Sequence, residues 1–202
     1  MQPKYPYLYT GAFCIYYGRD DDTGQTLMLI TKRGKHFTGT SEGYGTAGGF
    51  LEVKNREQPA AAAVRELEEE IPMPDKSPVL SGISPDRLAL VASGVDYDYK
   101  GNEPGMAGVV WHGHACELTA AEVKTLKTYV TKFHADNDFA DAVRIASNQE
   151  LGDILLLPPA DVALNIQSGT MKFAYAHEGR VVERIASKLH TNPGVPATHL
   201  LF

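Results

Sequence analysis

Cysteine is scarce: two residues in a chain of 202. That excludes a disulfide framework of the kind that holds small secreted domains together. Cys14 and Cys116 each sit inside an apolar run and are expected to be reduced core thiols of a cytoplasmic protein. Long hydrophobic runs are also missing, and none approaches the ~20 residues that span a bilayer, so no membrane association is expected. The first residues, MQPKYPYLYTGAF, lack a charged segment followed by an apolar one, so no signal peptide is expected. Positive charge is in deficit, with 19 Lys and Arg against 25 Asp and Glu and a net charge of −6. A nucleic acid polymer is therefore an unexpected partner, because that binding neutralises phosphates with Lys and Arg. A small anionic substrate remains compatible if a cation mediates its binding.

What is present reads as one globular domain over 1–202. Strands are expected at 11–17 (GAFCIYY) and 26–31 (TLMLIT), β-branched and aromatic, separated by the turn GRDDDTG. A glycine-rich loop, GTSEGYGTAGG, precedes a helix whose first position is Pro59, where a missing N–H costs nothing. Pro72 stops that helix. Further strands are expected at 88–95 and 106–116. Thr119 and Glu122 form a capping box for an inserted helix over about 119–135, with Val123, Leu126, Val130 and Phe133 on one face. A short strand at 153–157 runs into a second proline-started helix. A C-terminal helical extension over about 170–202 includes an amphipathic helix near 180–190 and an irregular tail. Strands interrupted by a few unlike helices imply an α+β fold with a mixed sheet packed by helices.

The segment GGFLEVKNREQPAAAAVRELEEEIPM (48–73) carries the chemistry. Four glutamates fall within five residues, Glu66 to Glu70. At about 100° per residue, Ala60, Ala63, Val64, Leu67 and Ile71 share an arc that must face a core. Glu66, Glu69 and Glu70 share the adjacent arc, related by i, i+3 and i+4, while Glu68 falls on the far, solvated side. Two such charges ~5 Å apart repel by roughly 3 kcal/mol at an effective dielectric near 20. An acidic, solvated helix face is the plain alternative. A hard divalent cation would turn the repulsion into coordination, and the glycine pair upstream would let backbone approach the ion closely. Arg65 is placed to reach back to Glu57 and tie the loop to the helix.

Taken together, Gly48-Gly49-Phe50-Leu51-Glu52, then Glu57, then Arg65-Glu66-Leu67-Glu68-Glu69-Glu70-Ile71 resemble the signature of the Nudix hydrolases. The chain departs from it twice. Seven residues separate Gly49 from Glu57, two more than the family pattern, and Pro72 replaces the glycine that usually ends the helix. Neither change removes a carboxylate. The resemblance covers 48–73 strongly and about 8–168 in strand order. It implies an α/β/α sandwich with a core over about 8–168, and hydrolysis of a nucleoside diphosphate linked to another group with Mg2+ or Mn2+ as cofactor. It also implies metal ligation by Glu66, Glu69, Glu70 and the Gly48 carbonyl, and a structural salt bridge between Arg65 and Glu57. The catalytic set is expected to comprise Glu66, Glu69, Arg65 and Glu150: the base is a helix glutamate or a later-loop carboxylate, with Glu66 or Glu69 handling the metal-bound water, Glu150 assisting and Glu103 as its rival.

Other candidates carry less. Lys32, Arg33 and Lys35 follow the second strand; Arg33 and Lys35 are the expected substrate-phosphate contacts, against a solvated basic turn. His112 and His114 alternate on one strand face and read as edge or core histidines with no third ligand in view. Tyr5, Tyr7 and Tyr9 pack an N-terminal strand or stack a base. Branch marks are absent: Pro85 falls too early for the ADP-ribose type, and Tyr97 and Tyr99 too late for the dinucleoside polyphosphate type. The inserted helix is expected to shape the pocket or a homodimer contact. Three other functions compete: a non-catalytic nucleotide-binding domain, which commonly lacks signature carboxylates; an isomerase of the same fold, which would want a Cys or His relay; and a purely structural acidic helix.

Overall fold

The computed structural model describes residues 7–34, 43–97 and 106–201. Among these residues seven strands, β1 (Tyr7–Arg19), β2 (Thr26–Arg33), β3 (Tyr44–Gly45), β4 (Ala47–Phe50), β5 (Ala89–Asp96), β6 (Met106–Leu118) and β7 (Leu151–Leu157), form one mixed sheet. Five helices among the described residues pack on it: α1 (Pro59–Glu70), α2 (Ala120–Ala135), α3 (Asn137–Ala146), α4 (Pro159–Gln167) and α5 (Ala176–Thr191). The main path runs β3-β2-β1-β6-β5, with β4 beside β1 and β7 beside β2.

Strand β1 is central, parallel to β6 along its length and antiparallel to its other neighbours. Its apolar run is buried on both faces, as an interior strand demands. Alternation then divides the core in two. Ala12, Cys14 and Tyr16 pack with residues of α1, α2 and α3. Phe13, Ile15 and Tyr17 pack with residues of α4 and α5 on the opposite face. This is the α/β/α sandwich expected from the sequence.

The glycine-rich stretch departs from its expected loop. Strands β1 and β2 pair only where Tyr17–Arg19 meet Thr26–Met28, so both present open edges beyond that point. Strand β3 takes the β2 edge at Thr31 and Lys32, and β4 takes the β1 edge from Gly11 to Cys14. Backbone pairing drives this order, so side-chain alternation carried no sign of it. The lead into α1 is consequently held on sheet backbone rather than on a free loop.

Helix α1 begins at Pro59 and its last residue is Glu70, two before Pro72. Ala62, Ala63, Val64 and Leu67 are its buried residues, with Ala60 partly buried against the same core. Glu68 is half-buried, not on a solvated face. Two buried tyrosines grip this region: Tyr16 donates to the Ala63 carbonyl at 3.2 Å and Tyr129 to the Pro72 carbonyl at 2.7 Å. Helix α2 carries the expected capping box at Thr119 and Glu122. The chain then turns sharply at Asp136, whose N–H closes α2 on Lys132 and whose carboxylate caps α3 at the Phe139 N–H. Helix α3 was not foreseen, because its apolar stripe of Phe139, Ala140 and Val143 is short. Helix α5 starts at Ala176, ahead of the expected position, and its first turn is buried. The tail is partly ordered as a 3-10 turn at Ala197–His199, with Leu200 buried in the second core.

One ion pair ties the strand edge to α2. Arg87 bonds both oxygens of Glu122, at 2.6 and 2.8 Å, and also the Glu117 carbonyl at 2.9 Å. The Arg87 guanidinium, assisted by Thr119, holds the Glu122 carboxyl at about 2, below its ordinary 4.5. A depressed carboxyl stabilises the fold fully above its unfolded value and loses that contribution as pH falls through the folded one. Glu122→Gln is therefore expected to lower stability by about 1–3 kcal/mol at neutral pH. The variant's deficit should shrink as pH falls from 4.5 toward 2, read from chemical denaturation across that range.

Candidate active site

The glutamate helix meets the sheet at β4. The Gly48 N–H donates to Glu70 Oε2 at 3.3 Å. In an extended strand the N–H and C=O of one residue point to the same edge, so the Gly48 carbonyl faces the helix as well. Gly49 admits Glu66: a Cβ there would come within 2.3 Å of its carboxylate. No other residue type allows that approach.

Arg65 organises the rest. Its Nε donates to Glu57 Oε1 at 2.9 Å, and Nη1 donates to Glu66 Oε1 at 2.8 Å and Glu69 Oε2 at 2.9 Å. Nη2 donates to the Phe50 carbonyl at 2.9 Å and Glu57 Oε2 at 3.2 Å. Glu57 in turn accepts the Glu52 N–H at 2.7 Å. The Arg65 hydrogen bond lowers the Glu57 carboxyl below its ordinary range. Between them, the two extra residues of the turn are absorbed in a 3-10 helix at Val53–Asn55, closed by Arg56 with φ 54°.

Glu150, the residue before β7, comes within electrostatic reach of this cluster. It follows Asn148 and Gln149, both left-handed at φ 53° and 66°, a turn that directs the chain back beside β2, where the Gly34 N–H donates to the Glu150 carbonyl at 2.8 Å. Burial raises the Glu70 carboxyl well above its usual range, and Glu66 and Glu150 add to that rise while Arg33 and the Gly48 N–H oppose it. Burial pushes Glu66 up to about 7, with Arg65 opposing and Glu69 and Glu150 adding. Burial also raises Glu150, again against Arg33. Glu150 therefore lies within electrostatic reach of Glu66, Glu69 and Glu70, and Arg33 within reach of Glu70 and Glu150.

The donor set is one of hard carboxylate and carbonyl oxygens crowded with too little positive charge, which suits a divalent cation. The side chains are not already in ligating position. Among the described residues no three His, Cys, Asp or Glu groups converge closely enough to hold an ion. Arg65 bridges Glu66 and Glu69 where an ion would compete.

The remaining candidates separate clearly. Arg33 stands over the Tyr175 ring at 4.8 Å, and Lys32 lies 5.9 Å from the Tyr44 ring. Lys35, Glu103 and Tyr5 lie outside the described residues, and of Tyr7 only the backbone, which begins β1, is described. Tyr9 packs on Phe50 at 5.0 Å. His114 is buried with Nδ1 unpartnered among the described residues, and burial lowers its pKa. His112 is half-buried, so this pair reads as sheet histidines. Cys14 and Cys116 are both free and buried.

Glu178 is the residue that sequence reasoning missed. It is buried in the first turn of α5, and its Oε1 accepts both the Thr46 N–H at 2.5 Å and the Thr46 hydroxyl at 2.7 Å. Thr46 stands two residues before Gly48, so the C-terminal helix braces the backbone that faces Glu70. Residues 172–174 add to this brace through paired bonds with Tyr44. A lone glutamate far along the chain offers no pattern from which to read that role.

Residues 9–138 match the family model described as NUDIX domain. Among solved structures, the fold is similar to a NUDIX hydrolase from Alicyclobacillus acidocaldarius, with a TM-score of 0.54 at 13% identity over 90% of this chain and 92% of that one. It is similar to the NUDIX domain of Shewanella oneidensis NrtR, complexed with ADP ribose, with a TM-score of 0.52 at 16% identity over 94% of both chains. A MutT/nudix family protein from Enterococcus faecalis gives 0.53 at 13% identity over 98% of this chain and 68% of that one. At such identities the likeness is one of fold. No curated protein matches the chain by sequence.

Arg65→Lys keeps the charge but cannot serve acceptors on three segments with a planar fork. It is expected to lower stability by about 1–3 kcal/mol, read from thermal or chemical unfolding. Unchanged stability would show that the loop and helix are joined by other contacts.

Proposed function

The chain belongs to the NUDIX domain family, and on that premise we propose that it is a divalent-metal-dependent pyrophosphohydrolase. Its substrate class is a nucleoside diphosphate linked to another moiety, as in a nucleotide sugar or dinucleotide. The reaction adds water across one phosphoanhydride, breaking a P–O bond and leaving two phosphate products. The observation that carries this reading is the run of carboxylates on one side of α1, with Glu66 against Gly49, Glu70 against the Gly48 N–H and Glu69 bridged to Glu66 by Arg65, and with Glu150 nearby just before β7.

Mg2+ or Mn2+ would be held by Glu66, Glu69, Glu70 and the Gly48 carbonyl. Bound there, such an ion supplies charge neutralisation of the diphosphate and activation of the attacking water. The other roles belong to the chain. Arg65 and Glu57 hold the loop and the helix in register, so that Glu66 and Glu69 stay side by side. Arg33, within electrostatic reach of Glu70 and Glu150, would contact a substrate phosphate. Glu150, whose burial brings its carboxyl closer to neutrality, accepts the proton of the attacking water. Glu178 keeps Thr46, and through it the Gly48 backbone, in place.

A non-catalytic nucleotide-binding domain is the second reading. The Shewanella domain bound to ADP ribose lends it support, as an instance of this fold with a nucleoside diphosphate ligand. The intact carboxylate set favours hydrolysis over binding alone.

A screen of nucleotide sugars, dinucleotides and nucleoside triphosphates with Mg2+ and Mn2+ tests this. Turnover is expected with at least one class, and Glu69→Gln/Glu70→Gln should reduce it by about a hundredfold or more. Glu150→Gln is expected to lower kcat by about 10²–10⁴ and to alter the pH profile. Full turnover with an unchanged profile would remove Glu150 as the base, and ligand binding without turnover would favour the second reading.

A further inference from the structure

Helix α5 lies beyond the matched family residues and builds a second cleft, of about 220 Å3, on the sheet face opposite α1. Its polar lining comes from Ser93 on β5, Trp111 on β6, and His177, Arg180 and Arg184 on α5. Among the described residues no carboxylate lines it, in a protein of net charge −6. Arg180 and Arg184 stand one turn apart on the helix, a like-charge spacing that is unfavourable by itself. Glu183, between them in sequence, accepts instead from Gln167 at 3.2 Å.

The Trp111 edge is fixed. The indole lies against Gly94, where a Cβ would come within 2.6 Å of the ring. It also stacks on His177 at 5.0 Å and 9°, and His177 stacks in turn against Tyr175 at 5.7 Å and 17°. His177 Nδ1 is tied to Asp96 Oδ2 at 3.0 Å. Stacked on His177, the indole also lines the cleft, and its N–H meets no acceptor among the described residues. Arg180 likewise makes no ion pair among the described residues.

We propose that this cleft is a binding site for a phosphate-class dianion, held by the guanidinium groups of Arg180 and Arg184 with the Ser93 hydroxyl and the Trp111 N–H. Two planar forks with two neutral donors suit a tetrahedral oxyanion. The volume admits a phosphate with an ordered water, whose own share is about 30 Å3. The phosphate belongs either to a separate small ligand or to the far end of a substrate; the second source rests on the hydrolase reading above.

The test is a titration of the full chain with inorganic phosphate, in EDTA and at constant ionic strength, followed by calorimetry and by thermal unfolding. Without metal, the outcome does not depend on whether the chain hydrolyses anything. Wild type is expected to bind saturably and to unfold at higher temperature as phosphate rises. Arg180→Ala/Arg184→Ala should weaken binding by about tenfold or more, and Trp111→Phe, which keeps the stack and loses the N–H, by about three- to tenfold. Glu69→Gln/Glu70→Gln should bind phosphate as wild type does. No saturable binding at about 10 mM phosphate, well above a millimolar Kd, would overturn the proposal. So would wild-type affinity in the double alanine variant. Where hydrolysis is measurable, a KM raised by the double alanine variant with kcat unchanged identifies the substrate's own phosphate, and an unchanged KM identifies a separate ligand.

Discussion

The bridge made by Arg65 is the interaction on which the site depends. A helix that aims several carboxylates at one place is unfavourable by itself, and burial makes it more so, as the raised Glu66 and Glu70 show. A single guanidinium reaches acceptors on the β4 backbone, on the turn before the helix and on the helix itself. It neutralises part of the charge while fixing the relative position of three segments. Arginine alone has enough donors in a planar array for this. The remaining imbalance is carried by Glu70 and Glu150, which sense Arg33 from the end of β2.

Around that bridge, the sheet separates two tasks. Strand β1 sends alternate side chains to opposite cores. One core seats α1 and is closed by α2 and α3, with Tyr16 and Tyr129 bonding to backbone at the middle and end of the α1 segment. The other core seats α4 and α5. Helix α5 then reaches back to the first task through Glu178 and Thr46, and so couples the C-terminal extension to the backbone of the carboxylate site. The same helix presents Arg180 and Arg184 to a cleft of its own. Its buried turn and its charged face thus serve different places.

Local signals were legible where one segment contains its own reason. Pro59 and Pro72 bracket α1 because proline can begin a helix but not continue one. Thr119 and Glu122 cap α2 with their own side chains. The apolar arc of α1 and the i, i+3, i+4 grouping of Glu66, Glu69 and Glu70 follow from helix geometry. The Glu57–Arg65 pair was legible because Glu57 lies just before α1 and Arg65 about two turns into it, on the side that faces back to the turn. By contrast, β3 and β4 were taken for loop, since glycine-rich sequence has no alternation and only the open edges of β1 and β2 make it pair. Helix α3 was hidden by the brevity of its apolar stripe, and the buried start of α5 by residues such as His177 and Glu178 that do not look like core.

The sequence by itself determined the carboxylate face, the salt bridge that steadies it and the family likeness, because each of these follows from residues close together along the chain; the sandwich class came with the likeness. Tertiary structure alone decided which distant groups meet that face. Glu150 arrives through a left-handed turn beside β2, Arg33 lies at the end of a neighbouring strand, and Glu178 comes from the last helix to hold Thr46. It also decided that Trp111, His177 and Tyr175 stack, and that Arg180 and Arg184 share a cleft with Ser93. Spacing along a chain constrains direction only within one element. The meeting of side chains from different elements depends on how the sheet orders its strands and which face each helix covers.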